Sequence, residues 1–500
     1  MVVGTTSHAG KSVLTTVLCR LLKRQGMRVT PFKGQNMALN AYITGTGEEM
    51  GHAQAVQAWA AGLEPRVAMN PILLKPQSNM TSQVILQGKA VGEVNAADYY
   101  RDYFERGWQA ITASLDQLQA EFDWIVCEGA GSPAEINLKH RDLTNMRVAK
   151  YLQASTLLVA DIDRGGVFAH IVGTLALLDP EERALIKGLV INKFRGQRSL
   201  LDSGVTWLEE YTGIPVLGVI PWLEQTLPAE DSLALFERRA HKPNAEVTIA
   251  VVRVPRIANF TDFDPLEAEP TVNLTYIAPD QTLGRPDAVI LPGSKTTLAD
   301  LKTLHQTGMV DQLHNYSRAG GMIFGICGGL QMLGQSVSDP AGYEGNVGEV
   351  PGLGLLPLRT ELTGEKVTRQ RQAIACALSS PFTAFMGMEG TIYGYEIHQG
   401  RTQILNPDQV QSLCEDWDLG VASVDQLILG TYLHGVFNNG RWRRAWLNQV
   451  RQRQALPPLP LQVEDFAAQR ERMLDAVTDQ FAAHLDLTSF LSPSTLEVRP

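Results

Sequence analysis

The chain has 500 residues, of which 44% are hydrophobic and 19% charged, and its formal net charge at pH 7 is −10. One hydrophobic core rarely serves so long a chain, so two or three globular domains are predicted. The negative charge argues against general binding to nucleic acids or anionic membranes, and an anionic ligand therefore needs local basic groups. The five cysteines contain no C-x-x-C pair, and the sequence shows neither a signal peptide nor a long apolar span, which together predict a cytoplasmic protein.

The first candidate site is the glycine-rich stretch GTTSHAGKS at residues 4–12. In phosphate loops of this kind the backbone approaches the phosphates, the lysine reaches the outer phosphates and the hydroxyl ligates Mg²⁺. The leading glycine stands one place earlier than the common pattern requires. Apolar residues then recur at helical spacing as far as Leu22, and Gly26 follows as a stop, so a strand, a loop and a helix are predicted. The predicted ATP ligands in this stretch are Gly4, Thr5, Gly10, Lys11 and Ser12.

The apolar run before this loop has only three residues, Met1 to Val3, whereas strands average about five to six residues. We therefore expect the natural start to lie upstream. Several further apolar residues added before Met1 should raise thermal stability.

Polar side chains also follow later apolar runs in this half of the chain. Glu128 ends the strand predicted at 124–127, where acids that hold Mg²⁺ lie in such folds, although an acidic loop residue is more often only solvated. Asn192 and Lys193 follow another run and resemble the adenine-side contacts of nucleotide-binding folds. Asp142 lies among cations and either orients a substrate or forms an ion pair with a neighbouring arginine. Apolar runs separated by helical segments predict a parallel sheet with both faces covered.

The second candidate site is GICGGLQ at residues 325–331, between an apolar run and a helical segment. A strand that turns sharply into a helix lifts a nucleophile to the end of a sheet and leaves backbone N–H groups beside it. A helix N-terminus and a nearby histidine would raise the thiolate fraction of such a cysteine. Cys327 is therefore the predicted nucleophile and His434 its predicted base. The alternative is a buried cysteine in an ordinary strand.

This GxCxGxQ pattern, followed downstream by an apolar strand that ends in histidine, resembles class I glutamine amidotransferase domains. The resemblance implies a flavodoxin-like α/β domain in which Cys327 attacks the side-chain amide of glutamine, His434 shuttles the proton and ammonia is released. It also implies that Gly293, Gly328 and Gln331 bind the oxyanion and glutamine.

One position departs from this pattern. Amidotransferases usually carry glutamate two residues after the histidine, but Val436 stands there. We therefore expect a backbone carbonyl or water to orient the imidazole. Glu396, in GYEIHQG, is the one acid in a motif-like setting, and the roles of Glu396 and His398 are left open.

Three longer strings, QNMALN at 35–40, MNPILLKP at 69–76 and EGAGSPAEINL at 128–138, resemble the cobyric acid synthase family. Its ATP unit belongs to the dethiobiotin-synthetase-like branch of phosphate-loop proteins. The resemblance implies glutamine- and ATP-dependent amidation of the b, d, e and g carboxylates of adenosylcobyrinic acid a,c-diamide through acyl phosphates. The implied corrinoid contacts are Gln35, Asn36, Asn40 and Asp142, and the implied Mg²⁺ ligands are Ser12 and Glu128.

Two alternatives remain open. Cobyrinic acid a,c-diamide synthase typically has acidic residues where this chain has Asn36 and Asn40. A nucleotide switch with a relic amidotransferase domain would bind ATP without turning over glutamine. The predicted organisation is an ATP- and corrinoid-binding phosphate-loop unit at 1–228, a linker at 229–246, an amidotransferase domain at 247–447 and a helical tail at 448–500. No nucleic-acid or membrane partner is predicted, and the sequence leaves the oligomeric state open, a homo-oligomer included.

Overall fold

A computed structural model of the chain describes residues 1–77, 81–95, 98–99, 101, 103–223, 242, 244–345, 348–376, 390–488 and 490–491. These residues form two α/β units, the N-terminal unit at 1–223 and the second unit at 244–453, followed by a C-terminal helix at Phe466–Ala482. Most of the predicted linker at 229–246 lies outside the described residues. Within the described ranges, no helix is long and apolar enough to cross a membrane.

The N-terminal unit is built on parallel strands. Four of them form one sheet in the order Val2–Gly4, Thr156–Asp161, Ile186–Phe194 and Val216–Pro221. A parallel pair, Val29–Phe32 with Trp124–Cys127, continues this sheet through a bridge between Val2 and Glu128. Apolar side chains from the strands fill two separate clusters, one on each face, which explains the continuous apolar runs of the sequence.

The carboxyl ends of these strands gather the polar residues that the sequence singled out. The phosphate loop follows Val2–Gly4, Glu128 follows Trp124–Cys127, and Asn192 lies near the end of Ile186–Phe194. Parallel strands present their carboxyl ends at the same edge of a sheet, and ligands bind there. This edge therefore assembles the candidate nucleotide site.

An insertion between the strands Val29–Phe32 and Trp124–Cys127 connects the two units. It holds a four-stranded sheet ordered Gln35–Met37, Ile72–Pro76, Thr81–Leu86 and Lys89–Asn95, and a hairpin of Ala41–Ile43 with Glu49–Gly51. Ala41 and Ile43 share one apolar cluster with Tyr395 and Ile397 of the second unit. The insertion therefore packs directly against the second unit.

The second unit contains a seven-stranded sheet. Its spatial order is Val272–Ile277, Val247–Val252, Ala288–Leu291, Met322–Ile326, Ile428–Thr431, Gly420–Ser423 and Val410–Ser412. The first five strands are parallel and follow the 2-1-3-4-5 order of flavodoxin-like folds, whereas the last two are antiparallel. The predicted fold class is thus confirmed.

Smaller sheets complete the second unit. A four-stranded sheet is ordered Gly348–Pro351, Ser336–Asp339, Leu358–Ala375 and Gly390–Ile404, and Ile257–Ala258 pairs with Gly293–Ser294. The α-helices of both units are Lys11–Arg24, His52–Ala60, Phe104–Glu121, Met146–Leu152, Val167–Leu177, Pro180–Leu185, Asp202–Thr212, Asp264–Glu267, Thr297–Gln306, Met309–Arg318, Gly328–Leu333 and Gly440–Arg453. Short 3₁₀ helices occur at Val67–Met69, Lys139–Arg141, Arg198–Leu200, Phe260–Phe263, Pro407–Gln409 and Val436–Asn438.

The C-terminal helix Phe466–Ala482 returns to the N-terminal unit. Its buried side chains join the same apolar cluster as those of the helix Lys11–Arg24. Arg20 of that helix pairs with Asp475 at 2.8 Å and with Glu471 at 2.9 Å. The C-terminal helix therefore supports the helix that begins at the phosphate loop.

Candidate active sites

Cys327 stands at a strand-to-helix turn. The strand Met322–Ile326 ends just before it, and the helix Gly328–Leu333 begins just after it. Cys327 has φ 53° and ψ −109°, a conformation that non-glycine residues rarely adopt, so its surroundings must hold the thiol at the tip of the turn. Gly329 permits this turn, because a Cβ there would lie 2.0 Å from the carbonyl oxygen of Leu291. The geometry is the nucleophile elbow that the sequence predicts.

His434 follows the neighbouring strand Ile428–Thr431 and is held by a buried acid. Its Nδ1 lies 2.7 Å from Oδ2 of Asp262, and the N–H of Gly435 donates to Oδ1 of the same carboxylate at 2.8 Å. His434 is 1% exposed and Asp262 is 3% exposed. A carboxylate on Nδ1 fixes the tautomer and orientation of an imidazole, which leaves Nε2 for proton transfer.

The prediction that a backbone carbonyl or water orients His434 is therefore wrong. The acid comes from the 3₁₀ helix Phe260–Phe263, 172 positions before the histidine. The family pattern points only to position 436, so the sequence did not predict Asp262, which lies beyond the end of the strand Val247–Val252. Carboxyl ends of parallel strands meet at one edge, and an acid near such an end was the available signal.

The surroundings of His434 favour its charged form. Burial by itself lowers the pKa of His434, but the charge and hydrogen bond of Asp262, together with Cys327, raise it to about 10. The carboxylate of Asp262 thus favours the imidazolium form of His434. Cys327 and His434 can thus serve as a nucleophile and a proton donor.

Glu396 has other partners. Its carboxylate accepts a hydrogen bond from Arg369 and lies 3.5 Å from Nε of Arg371 and 3.8 Å from Nε2 of His398. Burial raises the pKa of Glu396, but the hydrogen bonds from His398 and Arg369 and the charges of the two arginines lower it to about 2. Glu396 therefore anchors an ion cluster on the paired strands Leu358–Ala375 and Gly390–Ile404. The carboxylate that orients His434 is that of Asp262.

The predicted oxyanion glycines lie beside this pair. A Cβ on Gly293 would be 3.4 Å from Cε1 of His434, and a Cβ on Gly328 would be 2.9 Å from the backbone nitrogen of Ser294. Gly293 therefore lies close to His434, and Gly328, which follows Cys327, lies close to the loop after Gly293. Their oxyanion role stays a prediction.

Cys327, His434 and Gly293 line one pocket, and Gln331 lies in its wall. Its side-chain Oε1 accepts from Thr297 at 3.1 Å, and its Nε2 donates to the carbonyl of Gln399 at 2.9 Å and to Tyr432 at 3.1 Å. These bonds use the amide to tie the elbow helix to the walls of the pocket.

Three lysines from both units surround the pocket. Lys75 of the N-terminal unit lies 2.7 Å from Glu49, which also pairs with Lys366 of the second unit. Lys295 donates to Gln83 at 3.1 Å. Burial raises the pKa of Glu49, but Lys366 and Lys75 lower it to about 2. Burial, together with the charges of Lys366 and Lys75, lowers the pKa of Lys295 to about 7.

Glu344 is the second carboxylate at the pocket and accepts from the backbone N–H of Leu298 at 2.9 Å. Burial raises the pKa of Glu344 and lowers the pKa of Lys366. Three lysines therefore face two carboxylates, and the pocket favours an anionic group.

The phosphate loop lies at the edge of the N-terminal sheet. Nζ of Lys11 donates to the carbonyls of Thr6 at 3.1 Å and Gly131 at 3.0 Å, so it curls over the loop, and its contact with the outer phosphates stays a prediction. Gly10 has φ 102°, and a Cβ there would lie 2.0 Å from Nδ2 of Asn192. That Nδ2 donates to the carbonyl of Ala9 at 2.9 Å. Asn192 thus supports the loop, and the adenine contacts of Asn192 and Lys193 stay predictions.

Glu128 sits beside the hydroxyl that follows the loop lysine. Oε1 of Glu128 lies 2.8 Å from Oγ of Ser12 and 2.9 Å from Nζ of Lys33, and Oε2 accepts from Gln57 at 2.5 Å. A hydroxyl and a buried carboxylate side by side are hard oxygen ligands. They fit Mg²⁺, which takes one or two protein ligands along with phosphates and water.

The predicted corrinoid residues are engaged within the protein. Oε1 of Gln35 accepts from Tyr99 at 2.6 Å, and Nδ2 of Asn36 donates to Gln54 at 3.0 Å. Asn40 is 1% exposed, and its Oδ1 accepts from the backbone N–H of Phe260 in the second unit. Asn36 and Asn40 are therefore buried and hydrogen-bonded within the protein, and their contact with the corrinoid stays a prediction.

Asp142 is also a structural residue. Its carboxylate accepts from the backbone N–H groups of Thr144 at 2.9 Å, Asn145 at 2.7 Å and Arg147 at 3.0 Å. It thereby satisfies N–H groups at the start of the helix Met146–Leu152, which otherwise lack partners. The substrate role of Asp142 stays a prediction.

Both units of the chain are similar to known protein families. The model of a CobQ/CobB/MinD/ParA nucleotide binding domain matches residues 1–234, and that of a CobB/CobQ-like glutamine amidotransferase domain matches residues 248–442. A protein of Acaryochloris marina named cobyric acid synthase is 71% identical over 491 residues, which cover 98% of this chain and 99% of the relative. The chain belongs to the cobyric acid synthase family. It is a ligase with a glutamine amidotransferase unit, and the family acts by amidation in cobalamin biosynthesis.

A second member of the family, from a Nostoc species (strain PCC 7120), is 63% identical over 494 residues, covering 98% of this chain and 99% of the relative. A solved glutamine amidotransferase is similar over 40% of this chain and 97% of its own, at 18% identity and a TM-score of 0.31. Those two values are too low to carry an argument. The fold class of this family member rests on its strand order and on the two domain matches.

Proposed function

We propose that this chain amidates the b, d, e and g carboxylates of adenosylcobyrinic acid a,c-diamide to give adenosylcobyric acid. It would use ATP to activate each carboxylate and glutamine as the source of ammonia, and we expect the reaction in the cytoplasm. The observation that carries the proposal is the full-length similarity to proteins named cobyric acid synthase at up to 71% identity. The phosphate loop and the cysteine-histidine-aspartate arrangement in one chain supply the two chemical steps.

In the first step, the thiolate of Cys327 attacks the side-chain carbonyl carbon of glutamine. Backbone N–H groups near Gly293 and Gly328 receive the oxyanion. The imidazolium of His434 gives its proton to the departing nitrogen, so ammonia leaves and a thioester forms. Neutral His434 then takes a proton from water, whose oxygen attacks the thioester. Glutamate is released, and the thiolate and the imidazolium are restored.

Glutamine itself needs a site for its α-carboxylate. The pocket beside Cys327 carries Lys75, Lys295 and Lys366 against Glu49 and Glu344. An α-carboxylate would neutralise this excess of positive charge, and burial strengthens the attraction. We assign the lysines to glutamine binding, with Lys295 as the lysine least committed to a carboxylate partner.

In the second step, a corrinoid carboxylate attacks the γ-phosphorus of ATP, and ADP leaves. Ammonia then attacks the acyl phosphate, and phosphate leaves as the amide forms. Ser12 and Glu128 would hold Mg²⁺, which neutralises charge on the phosphates when it is bound. Lys11 stabilises the transferring phosphoryl group, and the positions of Gly4, Thr5 and Gly10 let the backbone approach it.

The test is a mass spectrum of the corrinoid product after incubation with ATP, Mg²⁺ and glutamine. Four amidations of adenosylcobyrinic acid a,c-diamide are expected. Two amidations of cobyrinic acid, with the diamide left unchanged, would overturn the proposal in favour of the a,c-diamide synthase. ATP binding without glutamine hydrolysis would favour a nucleotide switch instead.

Two variants separate the steps. Cys327→Ala should abolish amidation with glutamine and retain it with ammonium salt, whereas Lys11→Ala should lose amidation with either nitrogen source. Glutamine-driven amidation by Cys327→Ala would refute the assignment of the nucleophile.

A further inference from the structure

We propose that Asn40 and Ala41 of the N-terminal unit hold the machinery around His434 in position, so that the glutamine-hydrolysing centre is complete only when the two units are docked. The inference rests on the proposed glutamine hydrolysis and adds a positioning role for residues of the other unit.

Asn40 and Ala41 make a reciprocal pair of hydrogen bonds with the second unit. The backbone N–H of Phe260 donates to Oδ1 of Asn40 at 2.9 Å, across 220 positions of sequence. The backbone N–H of Ala41 donates to Oδ1 of Asn259 at 3.0 Å, across 218 positions. Each unit thus offers a side-chain carbonyl to a backbone N–H of the other.

The segment bound in this way carries the acid that orients the histidine. Asn259 immediately precedes the 3₁₀ helix Phe260–Phe263, which contains Asp262. Asn259 has φ 52°, so a left-handed residue begins the segment. A hydrogen bond to Oδ1 of Asn259 and another from the N–H of Phe260 therefore fix the start of the turn that carries Asp262.

Asn259 also faces the reactive nitrogen of the histidine. Because Oδ1 of Asn259 accepts from Ala41, its Nδ2 must point the other way, and it lies 3.4 Å from Nε2 of His434. An amide N–H there suits the neutral imidazole, whose Nε2 is an acceptor once the proton has moved to ammonia. The contact from Ala41 thus sets which end of the amide meets His434.

A third contact reaches the ring through Tyr395. The Tyr395 hydroxyl donates to the carbonyl of Ala41 at 3.2 Å, and its ring stacks on His434 with centroids 5.2 Å apart at 16°. The backbones of Tyr395 and His434 also exchange hydrogen bonds, at 3.1 and 2.9 Å. Residues 40 and 41 therefore contact three neighbours of the imidazole. These are the segment that carries Asp262 on the Nδ1 side, Asn259 on the Nε2 side and Tyr395 on the ring face.

Burial makes these contacts consequential. Asn40, Ala41, Asn259 and Phe260 are all buried, and a buried N–H that loses its acceptor is costly to accommodate. The Phe260 segment would then shift to find another partner, and Asp262 would shift with it. Geometry at His434, rather than affinity for glutamine, should suffer.

The test is Asn40→Leu, which keeps the size of the side chain and removes the acceptor. We expect kcat for glutamine hydrolysis to fall at least tenfold, with KM for glutamine within twofold and ammonium-driven amidation within twofold of the parent protein. Alkylation of Cys327 by iodoacetamide should slow at neutral pH, because a misplaced imidazolium stabilises the thiolate less.

The matched control is Gln370→Leu. Nε2 of Gln370 donates to the carbonyl of Ile43, so this variant also removes one hydrogen bond between the units, next to the same strand, and leaves the bonds to Asn259 and Phe260 in place. Its glutamine hydrolysis and its rate of Cys327 alkylation should stay within twofold of the parent. Equal losses in both variants would show that general docking matters and would overturn a specific role for Asn40.

A second variant, Asn259→Asp, keeps the acceptor for Ala41 and replaces the amide N–H that faces Nε2 by an oxygen. The pH dependence of kcat should shift to higher pH, because a carboxylate near Nε2 favours the imidazolium. An unchanged pH profile would overturn the inference even if Asn40→Leu proved unstable.

The remaining outcomes separate this inference from the proposed function. If Asn40→Leu lowers ammonium-driven amidation as much as glutamine hydrolysis, Asn40 belongs to the corrinoid site and the inference fails. If the parent protein hydrolyses glutamine and Asn40→Leu does so equally well, the inference fails while the proposed function stands. If the parent protein hydrolyses no glutamine, the proposed function itself fails.

Discussion

Nδ1 of His434 lies 2.7 Å from Oδ2 of Asp262, and the same carboxylate receives the backbone N–H of Gly435 at 2.8 Å. The second bond fixes the carboxylate against the chain that carries the histidine, so acid and base move together. In amidotransferases of the common pattern, the carboxylate that orients the histidine belongs to the second residue after it. In this chain the carboxylate of Asp262, far upstream in the sequence, takes that position. Cys327, His434 and Asp262 therefore fit the roles of nucleophile, base and orienting acid that we propose for them.

Asp262→Asn should lower kcat for glutamine hydrolysis by about 10² or more, because loss of the corresponding acid in serine proteases costs about 10⁴. Amidation with ammonium salt should be spared, since the phosphate loop is separate. Asp264→Asn, two residues further along, is the control and should stay within a few fold. Equal activity of Asp262→Asn and the parent enzyme in a glutaminase assay would contradict the assignment.

Val436→Glu should give no gain in glutamine hydrolysis, because Nδ1 of His434 is already occupied by Asp262. Val436 is also buried at the start of a 3₁₀ helix, so a charged side chain should lower the melting temperature. Val436→Gln separates the loss of packing from the added charge. A tenfold gain in kcat for the glutamate variant, worth about 1.4 kcal/mol, would show that the usual carboxylate was limiting.

Local motifs were readable from the sequence, whereas contacts between distant segments were not. The phosphate loop and the elbow at Cys327 each lie within about ten consecutive residues, so residue type and spacing suffice. Asp262 with His434, and Asn40 with Phe260, meet only because strand order and docking bring them together. A single sequence gives no register between the two units, so the pair of Asn40 and Phe260 had no local signal. Asp262, beyond the end of the strand Val247–Val252, had only its place near a strand end as a signal.

Asp142, in contrast, makes local contacts. Its carboxylate accepts from N–H groups two, three and five residues later, which is a local capping pattern that spacing alone could have predicted. The cations around Asp142 favour a substrate role, which stays a prediction. A carboxylate just before a helix should be tested first as a cap.

Gly10→Ala should raise the Kd for ATP at least tenfold and abolish amidation with either nitrogen source. The added Cβ would lie 2.0 Å from Nδ2 of Asn192, and φ at Gly10 is 102°, which side-chain-bearing residues rarely adopt. Calorimetric titration with ATP measures the effect, and glutamine hydrolysis reports on the rest of the chain. Gly173→Ala is the control, because its helix has room for a methyl group and should gain up to about 1 kcal/mol. ATP binding within twofold of the parent would contradict the role of Gly10.

Lys295→Met should weaken the binding of glutamine through its α-carboxylate. We expect KM for glutamine to rise at least tenfold, which corresponds to about 1.4 kcal/mol. The rate with 4-aminobutanamide, which lacks that carboxylate, should change little. Lys302→Met, on the exposed face of the neighbouring helix, is the control. Equal losses with both substrates would mean that Lys295 supports the pocket without contacting the carboxylate.

The pH dependence gives an independent check on Lys295. Burial and neighbouring lysines lower the pKa of Lys295 from 10.5 to about 7 in the folded protein. Its charged form is therefore less favourable in the folded than in the unfolded chain, so Lys295 destabilises the fold below pH 7, and this penalty fades as pH rises from about 7 to 10.5. Lys295→Met should accordingly melt at a higher temperature than the parent at pH 6, with the difference shrinking toward pH 10. In the parent enzyme KM for glutamine should rise above about pH 7, because the α-carboxylate needs a charged lysine, and a KM that stays flat between pH 6 and 9 would contradict this assignment.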